Sequence, residues 1–456
     1  MKDSHNHRAQ GLTQYTEISV HAPGQSVPSK NPRQSVIQTP PGYKQTEVGV
    51  IPEEWGTIRI GDIATEFLGG APLKPSDFTQ SGVRVLPKGG VARGGKLRIE
   101  AAEQQYCSED YAEAHKSNQV DNSYTIVVLR DLVPSGPSIG LMVEIENSEF
   151  FVLAQGVYGF KANQDKASPE FLIQLSNGSD YRKLMNSIMV GSTQVHITNT
   201  AFKQAQFPFP PLPEQRAIAG ALSDVDALIS SLDRLIAKKR AIKHGAMQQL
   251  LTGKTRLPGF GGAWEVKTLE EIAEIDTDSL SGSTSPDYSF KYISLEDVDV
   301  GVLRGYSELV FRSAPSRARR KVKKNDILAS TVRPNLKSHL LIRDDVSDLI
   351  CSTGFSVLRC SPTMAEPAYV YFHLFANDVG RQIESLLTGS SYPAITGSDM
   401  KALQLPLPPL PEQQAIAAVL SDMDAEIAAL EQRRDKTRAL KHGMMQELLT
   451  GKTRLI

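Results

Sequence analysis

Cysteine is scarce in this chain, with three residues among 456 and no Cys-x-x-Cys pair. Cys107, Cys351 and Cys360 therefore predict neither a disulfide framework nor a cysteine-based zinc site. No run of about eighteen apolar residues occurs, so we expect no transmembrane helix. The N-terminal region also lacks the apolar core of a signal peptide. Together these absences favour a reduced, cytoplasmic setting and no contact with a membrane.

The chain also has no excess of positive or negative charge. Fifty lysines and arginines stand against 51 aspartates and glutamates, which leaves a net charge of −1. Nucleic-acid binding would therefore have to come from local basic patches, because the chain as a whole is not a polycation. With 456 residues and 40% hydrophobic content, the chain has room for two or three globular domains.

Catalytic signatures are also missing. An adenine methyltransferase needs a glycine-rich cofactor loop and an Asn/Asp-Pro-Pro-aromatic loop, and neither occurs. A restriction nuclease needs a carboxylate together with an acidic-x-Lys triplet, and Asp287 after Pro286 has no such triplet nearby. No HExxH, GxSxG or Cys/His metal spacing is present. We therefore expect no catalytic residue and no metal ligand in this chain.

A long internal repeat is the main feature that is present. Residues 208–257 and 406–455 align without a gap at an offset of 198 (406 − 208), with 33 of 50 positions identical. Near its start each copy contains PPLPEQ, which places proline at a helix start and glutamate in its first turn. Near its end each copy contains Gly-Lys-Thr. We interpret this as a helix stop with a C-cap glycine, because the upstream glycine of a phosphate-binding loop is absent.

Apolar positions in both copies follow the 4,3 spacing of a coiled-coil seam, at 218, 222, 225, 229, 232 and 236 and at 416, 420, 423, 427 and 430. Two such seams in one chain predict an antiparallel intramolecular coiled coil. Two separate helices, each packed on its own domain, are the simpler alternative. Arg434 and Thr437 interrupt the second seam, so we expect the C-terminal half of that helix to pack differently or to face a partner.

The segments between the repeats mix short β-rich runs with turn residues, and each closes with a helical stretch. We predict an α+β fold in which two α/β domains are separated by two long helices, with pseudo-two-fold internal symmetry. The predicted segments are a disordered tail at 1–42, domains at 43–207 and 258–405, and helices at 208–257 and 406–456.

Basic residues on glycine-rich and loop segments are the candidate binding groups. Arginine and lysine neutralise phosphates, glycine allows close backbone approach, and arginine and asparagine suit guanine and adenine edges. A charge run is more often only a solvated face, but here such runs occur in both domains. The candidates are Lys88, Arg93, Lys96 and Arg98 in the first domain and Arg317, Arg319, Arg320, Lys321, Arg333, Asn335 and Lys337 in the second.

Two further segments, GSTQVHIT at 191–198 and GSSYPAIT at 389–396, lie at the same offset of 198 (389 − 191). They add the polar candidates Ser192, Gln194, Ser390 and Tyr392 to the predicted DNA-binding set.

The chain resembles the specificity subunit of Type I restriction–modification enzymes. The resemblance rests on YKQTEVGVIPEEW at 43–55, on the two PLPEQxAIA helix starts, and on the two KHGxMQxLLTGKTRL helix ends. It extends over about residues 43–456. The paired helix motifs are specific, whereas the domains between them are generic.

The resemblance implies a non-catalytic subunit with two target-recognition domains, each reading one half of a bipartite sequence in double-stranded DNA. The helices would set the gap and dock two methyltransferase subunits for N6-adenine methylation. Restriction/motor subunits would add ATP-dependent cleavage. S-adenosylmethionine, ATP and Mg²⁺ would then bind to the partner subunits and not to this chain.

Two other functions stay open at this point. A structural adaptor whose domains bind proteins would show no DNA binding, either with or without methyltransferase partners. An enzyme fused to a recognition module would modify DNA alone when given cofactor and Mg²⁺, and the missing motifs argue against it.

Overall fold

A computed structural model describes residues 39–99, 104–146, 149–389 and 393–456. Most of the predicted tail and the candidates Ser390 and Tyr392 lie outside these residues. The chain divides into two compact units, Met1–Glu53 and Glu54–Ile456. In the first unit, β1 (Tyr43–Thr46) and β2 (Gly49–Pro52) form an antiparallel hairpin.

The second unit contains a first globular domain (residues 55–209), a second globular domain (residues 264–407) and two long helices. The strands of the first domain are β3 (Gly56–Arg59), β4 (Ala64–Gly69), β5 (Phe78–Thr79), β6 (Val83–Leu86), β7 (Gln105–Cys107), β8 (Gln119–Val120), β9 (Thr125–Val128), β10 (Arg130–Asp131), β11 (Met142–Val143), β12 (Phe151–Leu153), β13 (Val157–Ala162), β14 (Val195–His196) and β15 (Gln206–Phe209). Its helices are α1 (Ile60–Ile63), α2 (Glu109–Ala114), α3 (Pro169–Asn177), α4 (Ser179–Ile188) and α5 (Asn199–Gln204).

The long helix α6 (Leu212–Leu250) separates the two domains along the chain. The strands of the second domain are β16 (Glu265–Thr268), β17 (Ala273–Ile275), β18 (Ser289–Ile293), β19 (Ser307–Val310), β20 (Ala318–Val322), β21 (Ile327–Ser330), β22 (Leu340–Leu341), β23 (Leu349–Ser352), β24 (Phe355–Cys360) and β25 (Gln404–Leu407). Its helices are α7 (Leu269–Ile272), α8 (Pro367–His373), α9 (Asn377–Leu386) and α10 (Gly397–Ala402), and α11 (Leu410–Leu448) follows.

The two domains share one sheet topology although their sequences differ. One sheet has the order β11-β9-β13-β4 in the first domain and β22-β21-β24-β17 in the second. The other has the order β5-β7-β6-β12-β8 in the first and β19-β18-β23-β20 in the second, each with one parallel pair, β6–β12 or β18–β23. All four residues of β9 and of β21 are buried, as suits a central strand with both faces covered.

In each domain the last strand pairs with the first strand and leads directly into a long helix. β15 pairs with β3, and β25 pairs with β16. The prolines that follow cannot continue a strand ladder, and one stands in the first turn of each helix, where no N–H partner is needed. The sequence thus converts a strand into a helix at equivalent points in both halves.

Helices α6 and α11 each contain 39 residues, which corresponds to about 58 Å at the usual rise per residue. They run antiparallel. Asp226, near the start of α6, contacts Lys441, near the end of α11, and Lys243, late in α6, contacts Asp424, early in α11. The predicted antiparallel coiled coil is therefore confirmed.

The seam of this helix pair contains the predicted apolar residues. Ile218, Leu222, Leu232 and Ile236 are buried on α6, and Ile416, Leu420 and Ile427 are buried on α11. The two residues that interrupt the second seam pack within the helix pair. Arg434 Nη1 lies 3.6 Å from Asp233 Oδ1 of α6. Thr437 is buried and donates its hydroxyl hydrogen to the Arg433 carbonyl at 2.8 Å. The second seam is thus continued by polar residues that find partners on α6 or on α11 itself.

The ends of the helices are built into the domain cores. Met247, Leu250 and Leu251 at the end of α6, with Ile416 and Leu420 near the start of α11, belong to the hydrophobic core of the second domain. Helix α3 of the first domain packs on α6, and α8 of the second packs on α11. Both domains are thus anchored on the same helix pair. Among the described residues, no helix is long and apolar enough to span a bilayer.

Candidate nucleic-acid interface

A buried carboxylate fixes the first domain to the helix pair. Glu214, in the first turn of α6, is fully buried and accepts a hydrogen bond from the indole N–H of Trp55 at 2.9 Å. The guanidinium of Arg454, beyond the end of α11, donates to both oxygens of Glu214 at 2.6 and 2.8 Å. These hydrogen bonds raise the pKa of Arg454. Such a two-pronged pair combines charge with fixed geometry. We call this group the first clamp.

The same group recurs in the second domain as the second clamp. Glu412, at the start of α11, accepts from Trp264 at 3.2 Å and from Arg256 at 2.5 and 2.6 Å. Its residues follow the repeat, since 412 − 214 and 454 − 256 both equal 198. The C-terminal end of each long helix is therefore tied to the N-terminal end of the other, beside a domain tryptophan.

A second repeated contact lies further along the helices. Lys441 donates to both oxygens of Asp226 at 2.7 Å, and Gln174 of α3 donates to the same carboxylate at 3.1 Å. In the other half, Lys243 pairs with Asp424 and lies 5.1 Å from the ring centre of Phe372. Each domain thus contributes a different side chain to an otherwise identical ion pair.

Buried glutamines complete the attachment. The side-chain amide of Gln215 donates to the carbonyls of Lys166 and Pro210 and accepts from the backbone N–H of Ser168. Gln413 makes the equivalent three hydrogen bonds in the second half, to Met364, Pro408 and Glu366. Because these groups are buried and satisfied, they define one orientation of each domain on the helices.

Each domain presents a loop at the same place in its topology, directly after the central strand. We call them the first-domain tip (residues 131–139) and the second-domain tip (residues 332–338). The carbonyl before each tip accepts a hydrogen bond from an equivalent return segment: Leu129 from Ile197 at 2.9 Å, and Thr331 from Ile395 at 3.0 Å. The tips therefore occupy equivalent positions in domains of unlike sequence.

Hydrogen bonds within the first domain fix the backbone of the first-domain tip. Asp131 accepts from the hydroxyl and the backbone N–H of Ser138 at 2.6 and 3.2 Å. Although burial opposes it, the hydrogen bonds from Ser138 lower the pKa of Asp131. Arg182 of α4 donates to three tip carbonyls, at Gly136, Pro137 and Ile139. Gly136 has a φ of 50°, and a Cβ there would lie 2.6 Å from the sulfur of Met189, so the tip fits closely against its neighbour.

The second-domain tip is a tight turn between two left-handed residues. Arg333 and Lys337 have φ values of 50° and 53°, on either side of a short 3₁₀ turn. The backbone N–H of Arg333 donates to the Pro393 carbonyl at 2.7 Å, and the Lys337 ammonium donates to the Phe375 carbonyl at 3.4 Å. Left-handed non-glycine residues cost energy and persist where the surroundings fix them. The strain thus marks this turn as a candidate functional feature.

A buried histidine supports the second-domain tip from below. His339 Nδ1 accepts the backbone N–H of Ser330 at 3.1 Å, and Nε2 has no partner among the described residues. Burial, with the nearby Lys337 charge, lowers the pKa of His339 to about 4. Burial likewise lowers the pKa of His373 to about 3. Both imidazoles are therefore neutral in the folded domain.

We expect acid to unfold the second domain first. A lowered histidine pKa stabilises the fold fully above the unfolded value near 6.5, and that contribution is lost as the pH falls toward 4. The loss should reach about 3 kcal/mol for His339 at the low end of this range. The His339→Asn variant should show a weaker pH dependence of the thermal midpoint than the wild type, while exposed His244→Asn should match the wild type. An equal acid response in His339→Asn would contradict this account.

The predicted first-domain residues lie in two groups. Lys96 forms an ion pair with Glu146, and the Arg98 guanidinium lies beside the Gly94 turn. Burial, with the nearby Arg130 charge, lowers the pKa of Lys88. Its aliphatic chain lies at Gly156, next to Arg130, the residue that precedes the first-domain tip. The remaining candidates are exposed Ser192 and Gln194, in the return segment beside the tip, and Arg93, whose charge acts on Arg182.

The predicted basic run of the second domain lies at a sheet edge. Arg317 is exposed, and Arg319 stacks on Phe311 at 5.0 Å. Arg320 pairs with Asp276 at 2.8 Å, and Lys321 pairs with Asp278 at 3.2 Å. β20 is the last strand of its sheet, and residues 278–280 cover its outer edge: Leu280 N–H donates to the Arg319 carbonyl at 2.7 Å, and Lys321 N–H donates to the Asp278 carbonyl at 2.9 Å. The structure thus gives part of this run intramolecular partners, and its DNA contact stays a prediction.

Arg333 and Asn335 are the predicted residues that the structure presents together, both exposed on the second-domain tip. Sequence reasoning missed the two clamps and the first-domain tip. The clamps did carry a signal, because Glu214, Asp226, Lys243 and Arg256 are all among the identical positions of the repeat. The first-domain tip carried none, since its exposed residues include no basic side chain.

Two domains of one topology, joined to one antiparallel helix pair by repeated clamps, define a duplicated recognition scaffold. The chain belongs to the family of the Type I restriction modification DNA specificity domain, whose model matches residues 52–239 and 262–437. It is therefore a Type I specificity subunit, a protein that recognises DNA sequence within a restriction–modification system.

Known proteins with similar sequences carry the same designation. By name, the MjaX specificity subunit of a type I restriction enzyme from Methanocaldococcus jannaschii is 26% identical over 443 residues, covering 91% of this chain and 97% of the relative. The MjaVIII specificity subunit of the same organism is 22% identical over 437 residues, covering 89% of this chain and 94% of the relative.

Solved structures agree in fold. The S subunit of a type I system from M. genitalium superposes with a TM-score of 0.54 at 15% identity, covering 86% of this chain and 96% of that one. A chain from a structure that describes complex assembly and conformational transition of the type I R-M system superposes with a TM-score of 0.52 at 17% identity. The match covers 88% of this chain and 99% of that one.

Proposed function

We propose that the two domains read the two halves of a bipartite DNA target and that α6 and α11 set the gap between them. The observation that carries this proposal is the repeated clamp. It attaches each domain to the helix pair in the same way and presents an equivalent tip from each. Two readers on one rigid support suit two major-groove segments separated by unread base pairs. The unlike tip sequences imply unlike half-sites.

The repeated helices also suggest two similar partners. We infer that two methyltransferase subunits dock on the frame, bind S-adenosylmethionine and methylate adenine at N6. Restriction/motor subunits would bind ATP and Mg²⁺ and cleave DNA. This chain would direct them without binding a cofactor and without catalysing a step. In support, the repeat also retains identical residues at exposed positions, such as His244 with His442 and Gln248 with Gln446. Equivalent surfaces of this kind are expected where two similar partners dock.

Mapping N6-methyladenine in the host genome with and without this gene tests the proposal directly. We expect a two-part motif that disappears when the gene is removed. A genome whose methylation is unchanged, or a single continuous motif, would refute the bipartite reading. Modification of DNA by the purified chain alone, given S-adenosylmethionine and Mg²⁺, would refute the non-catalytic role.

The predicted basic groups of β20 have a separate test. Replacing Arg317, Arg319 and Lys321 with glutamate should weaken DNA binding and reduce the slope of log K against log salt by about 2 to 3, since each lost phosphate contact removes about 0.9. Binding measured across a salt series gives this slope. Lys401→Glu, an exposed lysine on α10, serves as the control. A slope equal to that of the wild type would show that these residues make contacts only within the domain.

A further inference from the structure

Aliphatic side chains are exposed at the first-domain tip. Leu132 is 59% exposed, Val133 is 44% exposed, and Val190 on the adjacent segment is 50% exposed. Val190 pairs with His196, which pairs with Arg130, the residue before the tip. Single exposed apolar residues are ordinary on protein surfaces, but here three lie on neighbouring hydrogen-bonded segments. We call these three residues the apolar patch.

The backbone that carries Leu132 and Val133 is held in place. The hydrogen bonds of Asp131, the three carbonyls bound by Arg182 and the close contact at Gly136 fix its backbone. A mobile loop could fold its aliphatic residues back onto the protein, whereas this one cannot. A loop backbone that is ordered before binding loses less entropy when a partner arrives. The patch therefore has the property expected of a preformed contact surface.

The second domain shows the same feature with a different sequence. Leu336 is 57% exposed on the second-domain tip, between the left-handed residues Arg333 and Lys337. The two tips lie at equivalent positions, as the hydrogen bonds to Leu129 and Thr331 show. Two unrelated loops that each present an aliphatic residue at one topological position point to a shared ligand chemistry.

Resting on the function proposed above, we propose that Leu132 and Val133 in the first domain and Leu336 in the second determine specificity by contacting thymine methyl groups. The C5 methyl of thymine is the apolar group on the major-groove edges of the bases, and aliphatic side chains recognise it. In the first domain the residues next to this pair are Pro134 and Ser135, so apolar contact dominates there. In the second domain Arg333 and Asn335 flank Leu336 and add hydrogen-bonding groups.

Replacing thymine with deoxyuridine tests this proposal, because deoxyuridine lacks only the methyl group. Each half-site that contains a methylated adenine also contains a thymine opposite it. With the methylated motif mapped, the complete complex of this chain with its methyltransferase partners would be titrated with duplexes carrying deoxyuridine in one half-site. We expect about fivefold to tenfold weaker binding for the first half-site, as for loss of a base-edge contact.

The matched variants separate methyl contact from other roles. In Leu132→Ser/Val133→Ser, deoxyuridine in the first half-site should have no further effect, while the second half-site should respond as in the wild type. Leu336→Ser should show the reverse, and it provides a second reading if the double variant does not fold. Val266→Ser, an exposed valine on β16, should respond to both substitutions as the wild type does.

Equal losses on deoxyuridine in wild type and variants would overturn the proposal. It would also be overturned if the variants lost affinity while wild-type binding ignored deoxyuridine, since the patch would then act as a wedge between bases or contact a protein partner. If the complex bound no specific sequence at all, the proposed function would fail first. That result differs visibly from specific binding that is insensitive to the methyl group.

Discussion

Replacing Arg454 with alanine is expected to lower the free energy of unfolding of the first domain by about 3 kcal/mol or more. Glu214 is fully buried, and its charge is balanced by the guanidinium of Arg454. Without that partner, the carboxylate must stay charged without compensation, take up a proton or draw in water, and each alternative destabilises the folded state. The expected loss is large because the remaining partner, Trp55, supplies one neutral hydrogen bond.

Thermal or denaturant unfolding followed by Trp55 fluorescence would measure the change, with Trp264→Phe as the common background. That background removes one hydrogen bond of the second clamp in every variant and keeps the Arg256–Glu412 ion pair. Arg438→Ala is the matched control, because it removes an exposed arginine paired with Asp233 on the same helix pair. Exposed pairs contribute about 0 to 1 kcal/mol, so the control should remain close to the parent. A similar small loss for Arg454→Ala would show that the first clamp is not a buried ion pair in solution.

A double substitution separates the charge from the packing. Glu214→Gln with Arg454→Met removes both charges and retains similar volumes, so it should recover a large part of the stability lost in Arg454→Ala. Arg256→Ala should produce the corresponding defect in the second domain, because Arg256 binds Glu412 in the same geometry. The first domain should then be unaffected, which would show that each clamp acts on its own domain.

The repeat explains why much of the frame could be predicted from sequence. Helix periodicity is local, and two matched seams in one chain have few ways to pair, so the antiparallel arrangement followed. In the sequence, the clamp residues are recognisable only as identical positions of the repeat. The local sequence does not indicate that Arg454 contacts Glu214, which lies 240 residues away (454 − 214). That contact depends on the register of the two helices, which is a tertiary property.

The strand order of the two domains could not be predicted from the sequence, for a different reason. Their strands are two to six residues long, and pairs such as β6 with β12 join segments that lie 65 residues apart in the chain (151 − 86). Short strands carry little periodic signal, and long-range pairing sets their order. The basic run around β20 was visible as charge, but its partners Asp276 and Asp278 lie about forty residues upstream and meet it only in the folded sheet. Aliphatic tip residues look like ordinary core residues until their exposure is known.

Lengthening both helices by three heptads should move the preferred gap in the DNA target by nine or ten base pairs and leave the half-sites unchanged. Twenty-one added residues extend a helix by about 31 Å, close to one turn of B-form DNA at about 34 Å. Both tips should then face the same side of the duplex again. A single heptad adds about 10 Å and turns the second half-site away from its reader, so methylation should fall at least tenfold at every gap.

The position of the insertions follows from the ion pairs. Placing them after Leu235 in α6 and after Arg433 in α11 keeps Asp226 with Lys441 on one side and Lys243 with Asp424 on the other. The new segments then pair with each other. A three-heptad insertion in α6 alone is the control: it shifts one set of pairs out of register and should abolish assembly. Methylome sequencing determines the gap length and the bases of both half-sites in one measurement. Changed half-site bases, or an unchanged gap in the doubly extended protein, would show that the helices do not measure the distance between the two readers.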